Sequence, residues 1–137
     1  MDDLVVARDT FRSGAVSLVA VRDGRILGSS SAGGVRPLLQ LVLQLGDELR
    51  GAALADKVVG RASALLCRHA GIDAVYAPVL SEAARHELDL AGIQMEADRI
   101  VPRILNRTGD NLCPFEQLTD GLAPGEALTA LRRFFTL

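Results

Sequence analysis

The sequence predicts an α/β domain built on a parallel or mixed sheet, and three observations carry that prediction. From Ala52 to Ala97, helix-like and strand-like patterns alternate and are joined by short turns, which implies crossover connections between parallel strands. Ahead of them, Asp23-Gly24 between two apolar runs signals a hairpin, because both central residues of such a turn must accept positive φ. Finally, the 137 residues are 49% hydrophobic, and a chain of this size buries about two-thirds of the surface its unfolded form exposes. No linker long enough to divide residues 1–137 is present, so one domain is expected.

Taken in order, Asp2 or Asp3 caps a short helix through Phe11, with Leu4, Val5, Ala7 and Phe11 on its apolar side and Ser13-Gly14 as its stop. Ala15 to Val21 is β-rich, Arg22 to Arg25 is the turn, and Ile26 to Ser29 is the returning strand. Ser29 to Gly34 is a small flexible loop. A helix then runs to about Leu49, with Pro37 in its first turn and Leu38, Leu41, Val42, Leu45 and Leu49 at helical spacing. Its leucine face either covers the sheet or meets a second copy of the chain. After Gly51 a central helix of small and apolar residues is expected to reach His69 or Ala70, opening on the charged pair Asp56-Lys57.

Ile72 to Leu80 reads as a strand whose pairing is limited near its end by Pro78. Ser81 is a good N-cap for the next helix, Gly92 closes it, and Ile93 to Ala97 alternates as a strand does. A polar, irregular stretch from Asn106 to Glu116 follows, in which Pro114 opens a short helix. Pro124-Gly125 introduces a last helix with Leu128, Leu131 and Phe135 on one side.

Composition excludes several function classes. The formal net charge is −2, with 15 basic residues spread among 17 acidic ones and no polybasic run, so nucleic acid is not an expected partner. With no Trp and 4% aromatic residues, stacking platforms for bases are scarce. No apolar run reaches the roughly 18 to 20 residues that span a bilayer, and a cytoplasmic protein without membrane contact is expected. Cys67 and Cys113 form no CxxC pair and no disulfide framework, which fits reduced thiols. The Gly33-Gly34 loop precedes a helix but matches no phosphate-loop or dinucleotide motif, so it reads as a connector and no cofactor is expected.

In an open α/β sheet, ligands gather beyond the carboxyl ends of the strands, where helices begin. Two helix starts carry reactive groups in this reading: Asp56-Lys57 and Ser81-Glu82. Lys57 is a candidate general acid, anion anchor or desolvated nucleophile; the plain alternative is an ion pair with Asp56 or Glu116. Cys113 is a candidate thiolate near a helix start, against an unreactive buried thiol. Asp110 and Glu116 suit a hard cation or acid–base work, or simply cap the Pro114 turn and pair with Arg103 or Arg107. Asn106, Arg107 and Arg36 are further polar contacts, the guanidinium groups matching carboxylate or phosphate in a planar fork. Cys67, mid-helix among leucines, reads as core.

Four motifs together resemble a known family: Val19-Ala20-Val21-Arg22-Asp23-Gly24, Gly34-Val35-Arg36-Pro37-Leu38-Leu39, Ala55-Asp56-Lys57-Val58-Val59-Gly60-Arg61-Ala62, and Asn106 through Glu116. They look like a small prokaryotic family of unknown function, DUF1893, whose fold is cytidine-deaminase-like. The resemblance implies a three-layer α/β/α sandwich around a mixed sheet and supplies no reaction. True deaminases place His or Cys, one residue, then Glu at one helix start and PCxxC at the next. Here the first would read Ala55-Asp56-Lys57 and the second Pro78-Val79-Leu80-Ser81-Glu82, so no zinc ligand set and no zinc-dependent deamination are expected. The sequence therefore points to a metal-independent pocket for an anionic or nucleotide-like small molecule around Lys57 and Cys113. The alternative is a ligand-sensing or oligomeric module without turnover.

Overall fold

The computed structural model describes residues 2–137. Helix α1 (Asp3–Arg12) is capped by Asp2, whose carboxylate accepts the Leu4 N–H at 2.9 Å. Leu4 and Ala7 turn inward, while Val5, expected beside them, is 38% exposed because it lies about 100° around the helix from Leu4. Strands β1 (Leu18–Arg22) and β2 (Arg25–Ser30) form the expected hairpin. Asp23 and Gly24 adopt φ of 55° and 74° at its turn, and the Asp3 carboxylate accepts both their N–H groups, at 2.9 and 2.8 Å. A Cβ at Gly24 would meet nothing within 4 Å, so only backbone strain opposes Gly24→Ala. Urea unfolding should show a loss of about 1 kcal/mol for that variant.

Helix α2 (Arg36–Leu45) is shorter than expected: Gly46, at φ 54°, breaks it into a 3₁₀ turn (Gly46–Leu49) that returns Leu49 to the core. Its Leu38, Leu39, Leu41 and Val42 are buried against the chain's own core, so most of its apolar face is spent within the domain.

The largest departure from expectation follows Gly51. The central helix does not begin at Ala52: residues Ala53–Asp56 form strand β3, Val58–Val59 form β4, and helix α3 spans only Arg61–Ala70. Alanine and leucine favour a helix locally, but a strand buried on both faces needs small side chains where neighbours press from either side. All four residues of β3 are buried. The β-branched pair Val58-Val59 and then Gly60 delay the helix. Asp56 and Lys57 thus lie at the end of a central strand, and neither sits at a helix start.

Strand β5 (Ala74–Ser81) leads into α4 (Glu82–Leu90), capped by Ser81 as expected, and β6 (Gln94–Val101) follows. Helices α5 (Pro114–Leu118) and α6 (Pro124–Phe135) complete the chain. Strands β2, β1, β3 and β5 lie side by side, antiparallel up to β3 and parallel from β3 to β5, and β6 extends the sheet in parallel. Strand β4 continues β3 along the same edge of β5 in unbroken register: Ala53 pairs with Ala74 and Val58 with Val79. Between them Pro78, which has no N–H, falls opposite Lys57. The Lys57 N–H turns instead to the Ser17 carbonyl at 3.1 Å.

Helix α1 covers one face of the sheet, over Val19, Val21, Ala53, Ala55 and Tyr76. Helices α2, α3, α4 and α6 cover the other, over Leu18, Ala20, Leu54, Val75 and Leu80. This is the three-layer α/β/α sandwich with a mixed sheet. Arg8 reaches both oxygens of Glu96 at 3.0 Å, and Arg12 lies 3.5 Å from Asp98, so α1 is also tied to β6. No helix among the described residues is long and apolar enough to cross a membrane.

Candidate functional site

Asp56 and Lys57 are adjacent in the chain and opposite in environment. Asp56 follows Leu54 by two residues and pairs across the ladder with Leu18, which puts its side chain on the α3 face of the sheet. The residue is 7% exposed, and no cation lies within ion-pair distance among the described residues. Burial pushes its carboxyl up to about 7, an effect the Lys57 backbone N–H only partly offsets. Cys67, inside α3, is raised by its own burial and then by the Asp56 carboxylate, so it is an inert core thiol, as its leucine-rich surroundings imply.

Lys57 is exposed and points the other way. With Phe11, Arg12, Gly14, Ser17 and Ser31 it lines an open cleft of about 440 Å³ where α1 ends. The walls are held from behind: the Ser17 hydroxyl bonds the carbonyls of Ser30 and Ala32, at 3.1 and 2.5 Å, and so ties β1 to the loop before α2. Arg12 stacks over the Tyr76 ring at 5.2 Å and is steadied by Asp98, which accepts the Tyr76 hydroxyl at 2.7 Å. The expected ion pair of Lys57 with Asp56 or Glu116 is not formed among the described residues. Among the described residues Lys57 has no acidic partner, and it stands in a concave wall.

Glu116 and Cys113 belong to a second cluster, at the start of α3 on the other side of the sheet. Glu116 is 6% exposed, and its Oε1 accepts the Arg61 N–H at 2.6 Å, while the Arg61 guanidinium donates to the Glu116 carbonyl at 2.9 Å. Burial raises the Glu116 carboxyl, the Arg61 N–H and guanidinium lower it, and Asp120 raises it slightly. Cys113 is half-buried at the start of α5; its N–H bonds the Ile104 carbonyl at 2.9 Å. Neither residue is in the wall of the Lys57 cleft. One hollow shared by Lys57, Cys113 and Glu116 is therefore not formed.

The remaining candidates have local partners. Asn106, Thr108 and Asp110 close a turn on themselves: the Asn106 amide and the Thr108 hydroxyl donate to the Asp110 carboxylate, at 3.0 and 2.5 Å, and hold it below its ordinary range. Asp110 pairs with neither Arg103 nor Arg107, and Arg107 itself is exposed. Ser81 is fully buried as the α4 cap, accepting the Ala84 N–H at 3.0 Å, and Glu82 faces Arg85 at 3.5 Å. Arg36 lies over the Phe135 ring at 5.7 Å. Arg12, Ser17 and Ser31 were missed as candidates, although the run Ser13-Gly14-Ala15 after a helix, with no core pattern of its own, marks a place where backbone lines a surface.

Zinc-dependent deaminases carry their ligands where two helices begin. Here α3 begins Gly60-Arg61-Ala62, and the β5–α4 junction reads Pro78-Val79-Leu80-Ser81-Glu82, its serine spent on a cap and its glutamate beside an arginine. These donors do not fit zinc. Among the described residues no three His, Cys, Asp or Glu side chains are grouped to hold a metal ion.

The fold is that of the deaminases without their metal-binding signature. The chain is similar in fold to the dCMP deaminase of cyanophage S-TIM5, with a TM-score of 0.52 at 14% identity over 71% of this chain and 99% of that one. It belongs to the family described as a domain of unknown function, DUF1893, whose model matches residues 6–135. The solved DUF1893 family protein of Thermotoga maritima is 28% identical and has a TM-score of 0.87, with 98% of this chain and 92% of that one covered. No curated protein matches the chain.

Proposed function

We propose that this protein is a metal-independent small-molecule-binding domain that holds an anionic, phosphate- or carboxylate-bearing ligand in the cleft around Lys57. One observation supports it most: an exposed ammonium group without an acidic partner, set in a concave wall beside Arg12, Ser17 and Ser31. A cation left unpaired in a cleft that water still reaches is well suited to an anion, whose own hydration is only partly lost on binding. Lys57 acts in this scheme as an anchor. Its exposure removes the desolvation that a nucleophilic lysine needs.

Arg12 supplies a second positive group, pre-positioned on Tyr76 and shared with Asp98. The net charge of −2 favours a small anion over nucleic acid. We place the protein in the cytoplasm, where its two free cysteines stay reduced.

Thermal unfolding with inorganic phosphate or a nucleoside monophosphate, at fixed ionic strength, tests the assignment. A ligand at about 100 times its Kd stabilises the folded state by about 2.7 kcal/mol, a rise of several degrees. Lys57→Ala should lose that rise and Lys57→Arg should keep part of it. An equal rise in Lys57→Ala removes Lys57 from the site.

A further inference from the structure

Helix α3 brings no side-chain cap of its own, because its N-cap is Gly60. The orphan N–H of Arg61 is met from 55 residues away, by the Glu116 carboxylate at 2.6 Å. Gly60 is required for this contact: a Cβ there would collide with Glu116 Oε1, and Ile104 closes in behind at 3.5 Å. The segment around Glu116 is held to α3 twice more, by the Arg61 guanidinium on the Glu116 carbonyl at 2.9 Å and by Arg61 facing Asp120 at 3.3 Å. Phe115, next in the chain, stacks with Phe135 at 5.4 Å and meets Phe134 edge-on at 5.1 Å. Upstream, the Cys113 N–H bonds Ile104, so residues 104–120 lie as a strap across the start of α3.

We infer that Glu116 is a built-in anion that closes the start of α3 and latches the strap of residues 104–120 over it. The positive end of a ten-residue helix favours an anion, and here the chain supplies one from its own sequence. Latch and anion cleft lie on opposite faces of the sheet, so the inference stands whether or not Lys57 binds a ligand.

The test uses the full chain and two variants. In Glu116→Ala, amide hydrogen exchange at Arg61, Cys113 and Gln117 should quicken at least tenfold while β1 and β5 amides keep their order of protection. Formate or acetate, added against chloride at equal ionic strength, should slow Arg61 exchange again and raise the midpoint of unfolding in Glu116→Ala, but not in the parent protein. Exchange unchanged by the substitution, or acetate acting no differently from chloride, overturns the latch. Should Glu116→Ala fail to fold, Glu116→Gln keeps a neutral acceptor for Arg61, and its exchange at the same three amides should exceed the parent's severalfold. Parent-like exchange in Glu116→Gln would equally overturn it.

Discussion

Replacing Asp56 by asparagine is expected to stabilise the protein at pH 8 by about 2 kcal/mol and to leave it no more stable than the parent below pH 4. The carboxyl is raised from 3.8 to about 7 in the folded chain, chiefly by burial. Each pKa unit is worth 1.36 kcal/mol, so holding Asp56 ionised in the fold costs on the order of 4 kcal/mol at high pH. An asparagine avoids that cost but brings an amide that must itself find partners, which returns about 1 to 2 kcal/mol. The sign follows from linkage. A group whose folded pKa is raised favours the fold when protonated, so its contribution is complete below pH 4 and is lost as pH rises from about 4 through about 7. Urea midpoints of both proteins across pH 4 to 8.5 isolate this term, since other groups largely cancel in the difference. A difference that stays flat across that range would mean that Asp56 has an unseen partner.

Leu131→Ala should cost about 2 to 5 kcal/mol and lower the midpoint of thermal unfolding by on the order of 10 °C. Leu131 is fully buried where α6 lies against α3, in the same core as Leu66 and Val75. Truncation there leaves a cavity that a close-packed interior fills poorly. Phe134, three residues on and 55% exposed, is the control: its replacement by alanine removes far less buried surface and should cost under about 1 kcal/mol. Equal losses for the two would mean that α6 is not docked as described. Loss of Leu131 also bears on the strap, because α6 carries the Phe134 and Phe135 rings that hold Phe115.

The elements with private local signals were legible in the sequence. Asp23-Gly24 specifies its own turn, Ser81 its own cap, and Pro78 its own gap in the ladder, each through chemistry complete within a few residues. The stretch from Ala52 to Leu66 was not legible, because alanine and leucine serve a helix and a doubly covered strand equally well. What decides between them is the pair of neighbours β1 and β5, which the local sequence does not contain. That single error moved Asp56 and Lys57 from a helix start to a strand end and separated Lys57 from Glu116. The cleft itself gathers the stretch from Phe11 to Ser17, then Ser31, then Lys57 from three parts of the chain, so no local spacing reveals it. Glu116 reads from the sequence as a cap of its own Pro114 turn, whereas its carboxylate caps α3, 55 residues away in the chain.

The deaminase-like scaffold thus has two differently charged features near the carboxyl ends of its central strands: an open cationic cleft under α1 and a helix start sealed by the chain's own carboxylate. Nuclear magnetic resonance of the nitrogen-15-labelled protein, titrated with inorganic phosphate at constant ionic strength, compares them directly. The binding account predicts saturable shifts confined to the amides of residues 11, 12, 14–17, 31 and 57, absent in Lys57→Ala, with Gly60, Arg61 and Glu116 unmoved. Shifts centred on Gly60 and Arg61, or no saturable shift around Lys57, would contradict it.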